Sequence, residues 1–279
     1  MMVGTTNASK GTTLQTPEQP QRTRVAGYQV ICLPTFKYLY EGKGDDRIFS
    51  GMLSRHWPAV IVADGASERI DETSGAVVAG GGAQAAEVVV EVARCSLDKL
   101  LRRPRNLKSV LQHLREVYKA GVEQLREKDI SSATTLLIAL LYKINNKKGD
   151  QSAFWFYAFE GDGAIVLINP KRKIDGRLIR SELLVPGQKM DATATVSRKG
   201  TTVPPIVGCI LYEPGDIVYV ASDGMAAVEN ALVRDKRIFL ANYLWNNLCE
   251  NQDAVSLNSA LSGFRFSDDA VLGLIWTSE

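Results

Sequence analysis

Apolar residues recur along the chain with two different periods. Residues 59–63, Ala-Val-Ile-Val-Ala, are continuously apolar and β-prone, as in a strand covered on both faces. Apolar positions spaced by three and four predict helices over 83–100 and 107–125, the second capped by Asn106. Further apolar runs predict strands at 28–33, 47–52, 134–144, 154–159, 164–168, 177–185, 217–221 and 270–276, and helices at 226–249 and 254–261.

The order of these elements indicates the fold class. Strands come first, a pair of helices follows, and a run of strands comes next, which is typical of an α+β protein and not of alternating βαβ units. Residues 1–24 hold many Thr, Gln, Ser and Pro and almost no large apolar side chains. Such a segment cannot bury enough surface to offset its ordering entropy, so we expect a disordered tail before one domain over 25–279.

Composition excludes several functional classes. The chain has 279 residues, with 33 Lys and Arg against 31 Asp and Glu, a net charge of +2. This balance argues against a bulk nucleic-acid binder, and no apolar run approaches the ~18–20 residues that span a bilayer. Two histidines argue against a multi-histidine metal site. The four cysteines form no CxxC pair, which favours free thiols in a reducing compartment.

Carboxylates recur where predicted strands end or begin. Asp-Gly pairs follow three apolar runs, at Asp64, Asp162 and Asp223, and acidic pairs open two others, at 45–46 and 268–269. A single Asp-Gly is usually a turn, and Asp175-Gly176, in a polar setting, is interpreted as only that. The others follow strands of one core, whose ends tend to meet at a shared rim. Carboxylates converging there repel one another unless a cation neutralises them, and oxygen ligands suit Mg²⁺, Mn²⁺ or Ca²⁺.

Seven short motifs follow one another along the chain: Gly44-Asp45-Asp46, Val62-Ala63-Asp64-Gly65, Gly80-Gly81-Gly82-Ala83-Gln84-Ala85-Ala86, Ala133-Thr134-Thr135, Gly161-Asp162-Gly163, Ala221-Ser222-Asp223-Gly224 and Ser267-Asp268-Asp269-Ala270. Taken in this order, they resemble the PP2C-type metal-dependent protein serine/threonine phosphatases (the PPM family). The resemblance covers about residues 26–279 and implies a β-sandwich of two mainly antiparallel sheets flanked by helix pairs.

The resemblance implies a role for each acidic motif. Asp64 would bridge two Mg²⁺ or Mn²⁺ ions, and the carbonyl of Gly65 would bind the second ion. Asp223 and Asp268 would hold the first ion and, with Asp64, form the catalytic set. The implied reaction is attack of a metal-bridging hydroxide on a phosphoserine or phosphothreonine of a protein substrate.

The remaining acidic residues have supporting roles in the same comparison. Asp45 matches the residue that holds the water shell of the second ion, and Asp46 matches its neighbour. Asp162 matches a residue that binds a third ion in some members. Where some members carry a phosphate-gripping arginine, this chain offers Lys43 and Arg47 as substitutes.

The sequence departs from the family pattern at two positions, so other functions remain as alternative hypotheses. Ala66 stands where some members carry a histidine after the Asp-Gly pair, and no arginine precedes the first acidic pair at the usual place. A pseudophosphatase acting as a regulatory binding module is therefore the alternative, and a hydrolase of small phosphoesters is a third hypothesis. We expect a monomeric cytoplasmic signalling enzyme that acts on phosphoproteins and binds neither nucleic acid nor membrane.

One basic cluster lies outside these motifs. Arg102-Arg103-Pro104-Arg105 follows the first predicted helix. It can complement the negative end of the helix dipole or dock a phosphopeptide, and the position at a helix end favours the first interpretation.

Overall fold

The structure is a computed structural model, and it describes a defined part of the chain. The described residues are 12–13, 21–25, 28–33, 37–39, 44–66, 68–70, 77–79, 81–103, 105–145, 151–169, 173–174, 177–178, 181–183, 195–225, 261, 266 and 269–278.

The described residues form two α-helices and a set of antiparallel strands. The helices are α1 (Gly82–Leu101) and α2 (Leu107–Glu127). The strands are β1 (Thr12–Thr13), β2 (Gln21–Val25), β3 (Tyr28–Leu33), β4 (Lys37–Leu39), β5 (Arg47–Leu53), β6 (Trp57–Ala63), β7 (Glu68–Ile70), β8 (Val77–Ala79), β9 (Leu136–Asn145), β10 (Gln151–Glu160), β11 (Ala164–Ile168), β12 (Lys173–Ile174), β13 (Arg177–Leu178), β14 (Ser181–Leu183), β15 (Val196–Ser197), β16 (Gly200–Thr201), β17 (Ile206–Leu211), β18 (Ile217–Ala221) and β19 (Ala270–Ser278).

Two large sheets pack face to face. One has the strand order β17-β10-β9-β6-β5, and the other has β1-β4-β19-β18-β11-β14, with β3 also pairing with β19 and β2 with β3. The apolar layer between the sheets includes Val62, Leu137 and Trp155 from the first sheet and Leu167, Val220 and Val271 from the second. This arrangement confirms the predicted α+β sandwich.

Strand β6 explains why residues 59–63 are apolar without alternation. Val60 and Val62 face the second sheet, whereas Ala59, Ile61 and Ala63 face the helices. All five side chains are buried. Because both faces of the strand are covered, neither face selects polar residues.

The helix pair covers the outer face of the first sheet. Leu97 of α1 and Leu114 and Tyr118 of α2 are fully buried in the same core as the sheet. The predicted cap of α2 is confirmed, since the Asn106 side chain accepts a hydrogen bond from the Ser109 backbone N–H at 2.9 Å. The predicted helices over 226–249 and 254–261 lie outside the described residues, except for Leu261.

Two strand predictions differ from the structure. The single strand expected over 177–185 is divided into β13 and β14, which belong to different sheets. Strand β17 was not predicted, because Pro204 and Pro205 precede it and Gly208 interrupts its apolar run. Its six residues pair with β10, and this backbone pairing determines its conformation.

The predicted boundary between tail and domain falls inside a strand. Gln21–Val25 form β2, which pairs residue by residue with β3, and Thr12–Thr13 pair with β4. The expectation that residues through 24 are disordered is therefore wrong for these segments. Main-chain hydrogen bonds to an existing sheet order a strand without requiring large apolar side chains, which composition alone does not reveal.

Neither helix in the described part of the chain combines the length and the apolar character that crossing a bilayer requires.

Candidate metal centre

Three carboxylates meet at one end of the sandwich. One oxygen from each of Asp64, Asp162 and Asp223 lies within 4.8 Å of the others. Asp64 follows β6, Asp162 lies between β10 and β11, and Asp223 follows β18. The cluster thus draws on both sheets. Ala164 and Ala221 are antiparallel partners, so this pairing alone brings the turn with Asp162 beside the end of β18.

Asp64 is held by the segment that precedes β9. Its backbone N–H donates to Thr135 Oγ1 at 2.9 Å, and its carbonyl accepts from the Thr135 N–H at 2.8 Å. The same carbonyl accepts from Thr134 Oγ1 at 2.8 Å. With its backbone polar groups satisfied on both sides, the residue presents its carboxylate in a defined direction toward the cluster.

Gly65 permits a close backbone contact behind the cluster. A Cβ atom on Gly65 would lie 2.3 Å from the carbonyl carbon of Gly82, the first residue of α1. A Cβ atom on Gly82 would lie 2.5 Å from the Ala66 carbonyl oxygen. Both positions therefore require glycine, and the start of α1 packs directly on the loop after Asp64.

Asp46 lies buried beside the three clustered carboxylates. It is 1 % exposed, and its carboxylate interacts with Ser222 and Asp64. Its Oδ2 atom is buried and has no hydrogen-bond partner among the described residues. A buried carboxylate oxygen without a partner carries a large desolvation cost, which a cation would offset.

The electrostatics of the cluster fit a cation site. Burial raises the pKa of Asp64, and repulsion from Asp46 together with the hydrogen bond to Asp223 raises it further. Burial also raises the pKa of Asp46 and of Asp162, where repulsion from Asp223 adds to the effect. These acids hold protons tightly unless a positive charge replaces them. Because all donors are oxygens, hard divalent ions such as Mg²⁺, Mn²⁺ or Ca²⁺ fit best.

Asp45 is placed differently from its neighbour. Its Oδ1 accepts a hydrogen bond from the Ala83 backbone N–H at 3.2 Å, and Gly81, the residue at the start of α1, offers no side-chain cap of its own. Asp45 therefore caps α1 and does not belong to the three-carboxylate cluster. The Asp45 N–H donates to the carboxylate of Asp269, which is buried.

The sequence assigned no role to Asp269. Its position in the second half of the acidic pair 268–269 was the only signal that it belongs to this end of the sandwich. Asp268, the residue assigned as a ligand, lies outside the described residues.

Of the two residues suggested for phosphate binding, the structure describes Arg47 and not Lys43. Arg47 Nη1 donates to the carbonyls of Gly44 and Asp46, each at 2.9 Å. This nitrogen therefore holds the loop that carries Asp46. Lys43 lies outside the described residues.

Glu160 is a buried acid that sequence reasoning left without a role. It is 1 % exposed and ends β10, two residues before Asp162. Its Oε1 accepts from the Thr202 backbone N–H at 3.1 Å, and burial raises its pKa to about 7. Glu160 thereby links the end of β10, two residues before Asp162, to the segment 195–205.

Comparison with models of known protein families identifies the family of this chain. Residues 42–264 match the model of protein phosphatase 2C, so the chain belongs to the protein phosphatase 2C family. No curated protein matches this sequence.

Solved structures share its fold at low identity. The S. agalactiae serine/threonine phosphatase is 18 % identical with a TM-score of 0.55, and the match covers 90 % of this chain and 99 % of that one. The catalytic domain of the serine/threonine phosphatase PstP with two manganese ions is 15 % identical with a TM-score of 0.53, covering 97 % and 98 %. RsbX with magnesium is 15 % identical with a TM-score of 0.54, covering 93 % and 100 %.

Proposed function

We propose that this protein hydrolyses phosphoserine and phosphothreonine in proteins with the help of two Mg²⁺ or Mn²⁺ ions. The observation that carries the proposal is the convergence of Asp64, Asp162 and Asp223 within 4.8 Å, from three separate strand ends. Membership of the protein phosphatase 2C family and the ions bound by similar folds support it.

The chain's own residues define the roles. Asp64 would ligate both ions, and Asp223, which is exposed, would ligate the first of them together with Asp64. Asp162 would complete a third position, and the unpartnered Oδ2 of Asp46 would approach the ions or their water. Asp268 and the Gly65 carbonyl stay proposed ligands from the family comparison. Bound ions of this kind activate water and neutralise charge on phosphoryl oxygens.

Several groups serve the reaction without ligating an ion. Thr134 and Thr135 hold the backbone of Asp64, and Arg47 holds the loop of Asp46. Ala66 follows the Asp-Gly pair and can donate no proton, so water or another acid would protonate the leaving oxygen. A scaffold that fixes carboxylates before substrate arrives reduces the reorganisation needed during the reaction.

A peptide assay tests the proposal. Wild-type protein should release phosphate from a phosphothreonine peptide with Mn²⁺ or Mg²⁺ and lose this activity in EDTA. Losing ~3–5 kcal/mol of transition-state stabilisation lowers the rate by roughly 10²–10⁴, which we expect for Asp64→Asn. Glu123→Gln removes one charge from an exposed position on α2 and should leave turnover unchanged.

The same assay addresses the alternative. A chain that binds the phosphopeptide but releases no phosphate with any divalent ion would be a binding module. Near-wild-type turnover by Asp64→Asn would contradict the assignment of the metal centre.

A further inference from the structure

Exposed cations cluster at the end of the molecule opposite to the carboxylates. Arg55, Lys99, Arg102, Arg103 and Lys108 are exposed, and Arg105 is half-buried beside them. We refer to these six residues as the distal basic surface. Strand β6 connects the two ends, since its first residue follows the turn that contains Arg55 and its last residue precedes Asp64.

The backbone beneath this surface is tied together by hydrogen bonds. The Ser54 N–H donates to Asp98 Oδ1 at 2.5 Å, which joins the β5–β6 turn to α1. The Tyr142 hydroxyl donates to the Arg103 carbonyl at 3.1 Å, and Arg105 Nε donates to the Leu100 carbonyl at 3.4 Å. The backbone next to Arg55 and at Arg103 is therefore anchored to the fold, and the Arg105 side chain is anchored to the end of α1.

The helix dipole accounts for only part of this charge. Lys99 and Arg102 lie at the C-terminal end of α1, where cations are favourable, and Asp98 pairs with Arg102 at 2.8 Å. Lys108, however, lies in the first turn of α2, which contains no acidic residue. A cation at the positive end of a helix is unfavourable, so Lys108 destabilises the first turn of α2 and the helix dipole does not account for it.

The charge is concentrated relative to the rest of the chain. Residues 98–108 contain five Lys and Arg and one Asp, so their net charge is 5 − 1 = +4. The whole chain has a net charge of +2, which leaves 2 − 4 = −2 for all other residues. A concentrated patch of one sign on a nearly neutral protein attracts a partner of opposite sign and accelerates its association.

The surface chemistry favours one class of partner. The exposed large apolar residues among those described are Val203, Ile206 and Leu211, and none belongs to the distal basic surface. Membrane-binding surfaces combine cations with inserted apolar side chains, and single-stranded nucleic acids stack on aromatic ones. Guanidinium groups bind carboxylates and phosphates in a bidentate manner, and a protein substrate offers carboxylates along runs of Asp or Glu.

We infer that the distal basic surface docks an acidic segment of the phosphoprotein substrate, away from the reaction site. This inference rests on the proposed function and narrows the substrate class to proteins that carry a run of Asp or Glu. The electrostatic contact would hold the substrate while its phosphorylated residue reaches the carboxylate cluster, so it acts on KM and not on kcat.

The distance between the two sites sets the spacing in such a substrate. The 7 residues of β6 span roughly 23 Å at ~3.3 Å per residue, and the 20 residues of α1 span about 30 Å at ~1.5 Å per residue. An extended linker covers at most ~3.5 Å per residue. At ~3.5 Å per residue, at least about seven to nine residues must therefore separate the acidic run from the phosphorylated residue, and more where the linker follows the surface.

Binding is tested first, without turnover. A fluorescent peptide with six glutamates should bind the wild-type protein in EDTA at low salt, and its Gln counterpart should not. Arg103→Glu with Lys108→Glu should weaken binding roughly five- to thirtyfold. Arg115→Glu with Lys119→Glu makes the same charge change at exposed positions farther along α2 and should leave the Kd within about twofold.

Both charge-reversed proteins should fold, because all four positions are exposed and glutamate suits the first turn of α2. If Arg103→Glu with Lys108→Glu fails to fold, the wild-type protein alone tests the inference. It should bind the Glu peptide and lose this binding when Gln replaces Glu. Equal binding of the Glu and Gln peptides, or equal loss in both double variants, overturns the inference. Tighter binding to anionic vesicles or duplex DNA than to the acidic peptide also overturns it.

Turnover then separates this inference from the proposed function. Phosphothreonine peptides carrying the acidic run after a linker of 3 or of 14 residues are compared with a peptide lacking it. We expect a lower KM only for the long linker, with kcat unchanged, and no such advantage in Arg103→Glu with Lys108→Glu. Hydrolysis of all three peptides with equal KM overturns the docking surface and leaves the phosphatase activity established. Acidic-peptide binding without any hydrolysis overturns the phosphatase function and this substrate role with it.

Discussion

Asp64 and Thr135 are joined by two backbone-anchored hydrogen bonds that run in opposite directions. The Asp64 N–H donates to Thr135 Oγ1 at 2.9 Å, and the Thr135 N–H donates to the Asp64 carbonyl at 2.8 Å. The two residues are 71 positions apart in the chain. The strand that ends in the central carboxylate is thus oriented by the start of a neighbouring strand.

Replacing Thr135 tests this orientation. Thr135→Val removes the acceptor of the Asp64 N–H and leaves a polar group unpaired, which costs ~1–3 kcal/mol. We expect weaker Mn²⁺ binding by calorimetry and roughly tenfold slower turnover. Thr135→Ser keeps the hydroxyl and should stay close to wild type in both measurements. Equal behaviour of the two variants would show that the hydrogen bond does not position Asp64.

The raised pKa of Asp64 predicts how the metal-free protein responds to pH. Its ordinary pKa is 3.8, and the folded value is higher, so above pH ~4 the native state keeps a proton that the unfolded chain releases. Stability is then lost as pH rises, by at most about 1.4 kcal/mol per pH unit. In Asp64→Asn, the side chain at this position has no proton to release. In EDTA, its stability advantage over wild type should grow from pH 5 to pH 8.

Urea unfolding in EDTA at several pH values measures this difference. Glu123→Gln, on the exposed face of α2, should differ from wild type by a constant amount over the same range. Saturating Mn²⁺ should stabilise the wild-type protein at pH 8 and have little effect on Asp64→Asn. A pH-independent difference between Asp64→Asn and wild type would contradict the buried, repelled carboxylate.

The contact between Gly65 and Gly82 predicts a severe effect of one methyl group. In Gly65→Ala, the new Cβ would lie 2.3 Å from the Gly82 carbonyl carbon, so the start of α1 must move. We expect a loss of about 2–4 kcal/mol in unfolding free energy and most of the activity.

A second glycine serves as the control. Gly121 lies inside α2, and a Cβ there would lie 3.6 Å from Val89, at ordinary contact distance. Gly121→Ala should raise stability by ~0.5–1 kcal/mol because alanine favours the helix. If both alanines destabilised the protein equally, the close backbone approach would not be the cause.

Asp98, at the other end of the molecule, should affect stability with a pH dependence opposite to that of Asp64. The Ser54 N–H and the Arg102 guanidinium lower the pKa of Asp98. A lowered pKa contributes stability above the unfolded value, and this contribution is lost as pH falls through the carboxylate range. Asp98→Asn should therefore lower the unfolding free energy by about 1 kcal/mol at pH 7 and by much less near pH 3. A difference that persists at pH 3 would indicate a packing effect.

Strand β2 predicts that the N-terminal segment matters for stability. Deleting residues 1–24 removes all but the last residue of β2 and leaves β3 without this partner. We expect a lower melting temperature, which loss of a disordered tail would not cause. Residues 1–10 lie outside both β1 and β2, so deleting them should have little effect on the melting temperature. Equal melting temperatures for all three proteins would show that β2 adds no stability.

The elements with strong periodicity could be predicted from local sequence. The apolar run of β6, the stripes of α1 and α2 and the cap at Asn106 were all correct, because each depends on residues a few positions apart. Strands β2 and β17 were missed because backbone pairing with a distant strand determines them, and their own side chains carry little signal.

The candidate metal centre was likewise predictable from local sequence in part, and in part depends on residues far apart in the chain. Asp-Gly pairs after apolar strands were enough to select Asp64, Asp162 and Asp223, since strand ends of one core meet at a common rim. The apolar pattern alone could not distinguish the two members of an acidic pair, and only the family resemblance gave Asp45 and Asp46 different roles. Asp46 turns toward the cluster and Asp45 caps α1, a choice made by contacts with Ser222 and Ala83.

Local pattern therefore specified the strongly apolar strands and the carboxylates that stand at their ends. The assembled sandwich specified which oxygens meet, which are buried and which acid serves a helix instead. The physical reason is separation along the chain: Asp45 and Asp269 are 224 positions apart, yet the backbone N–H of one donates to the carboxylate of the other. Burial, repulsion and hydrogen bonding between such residues exist only once the sheets have packed.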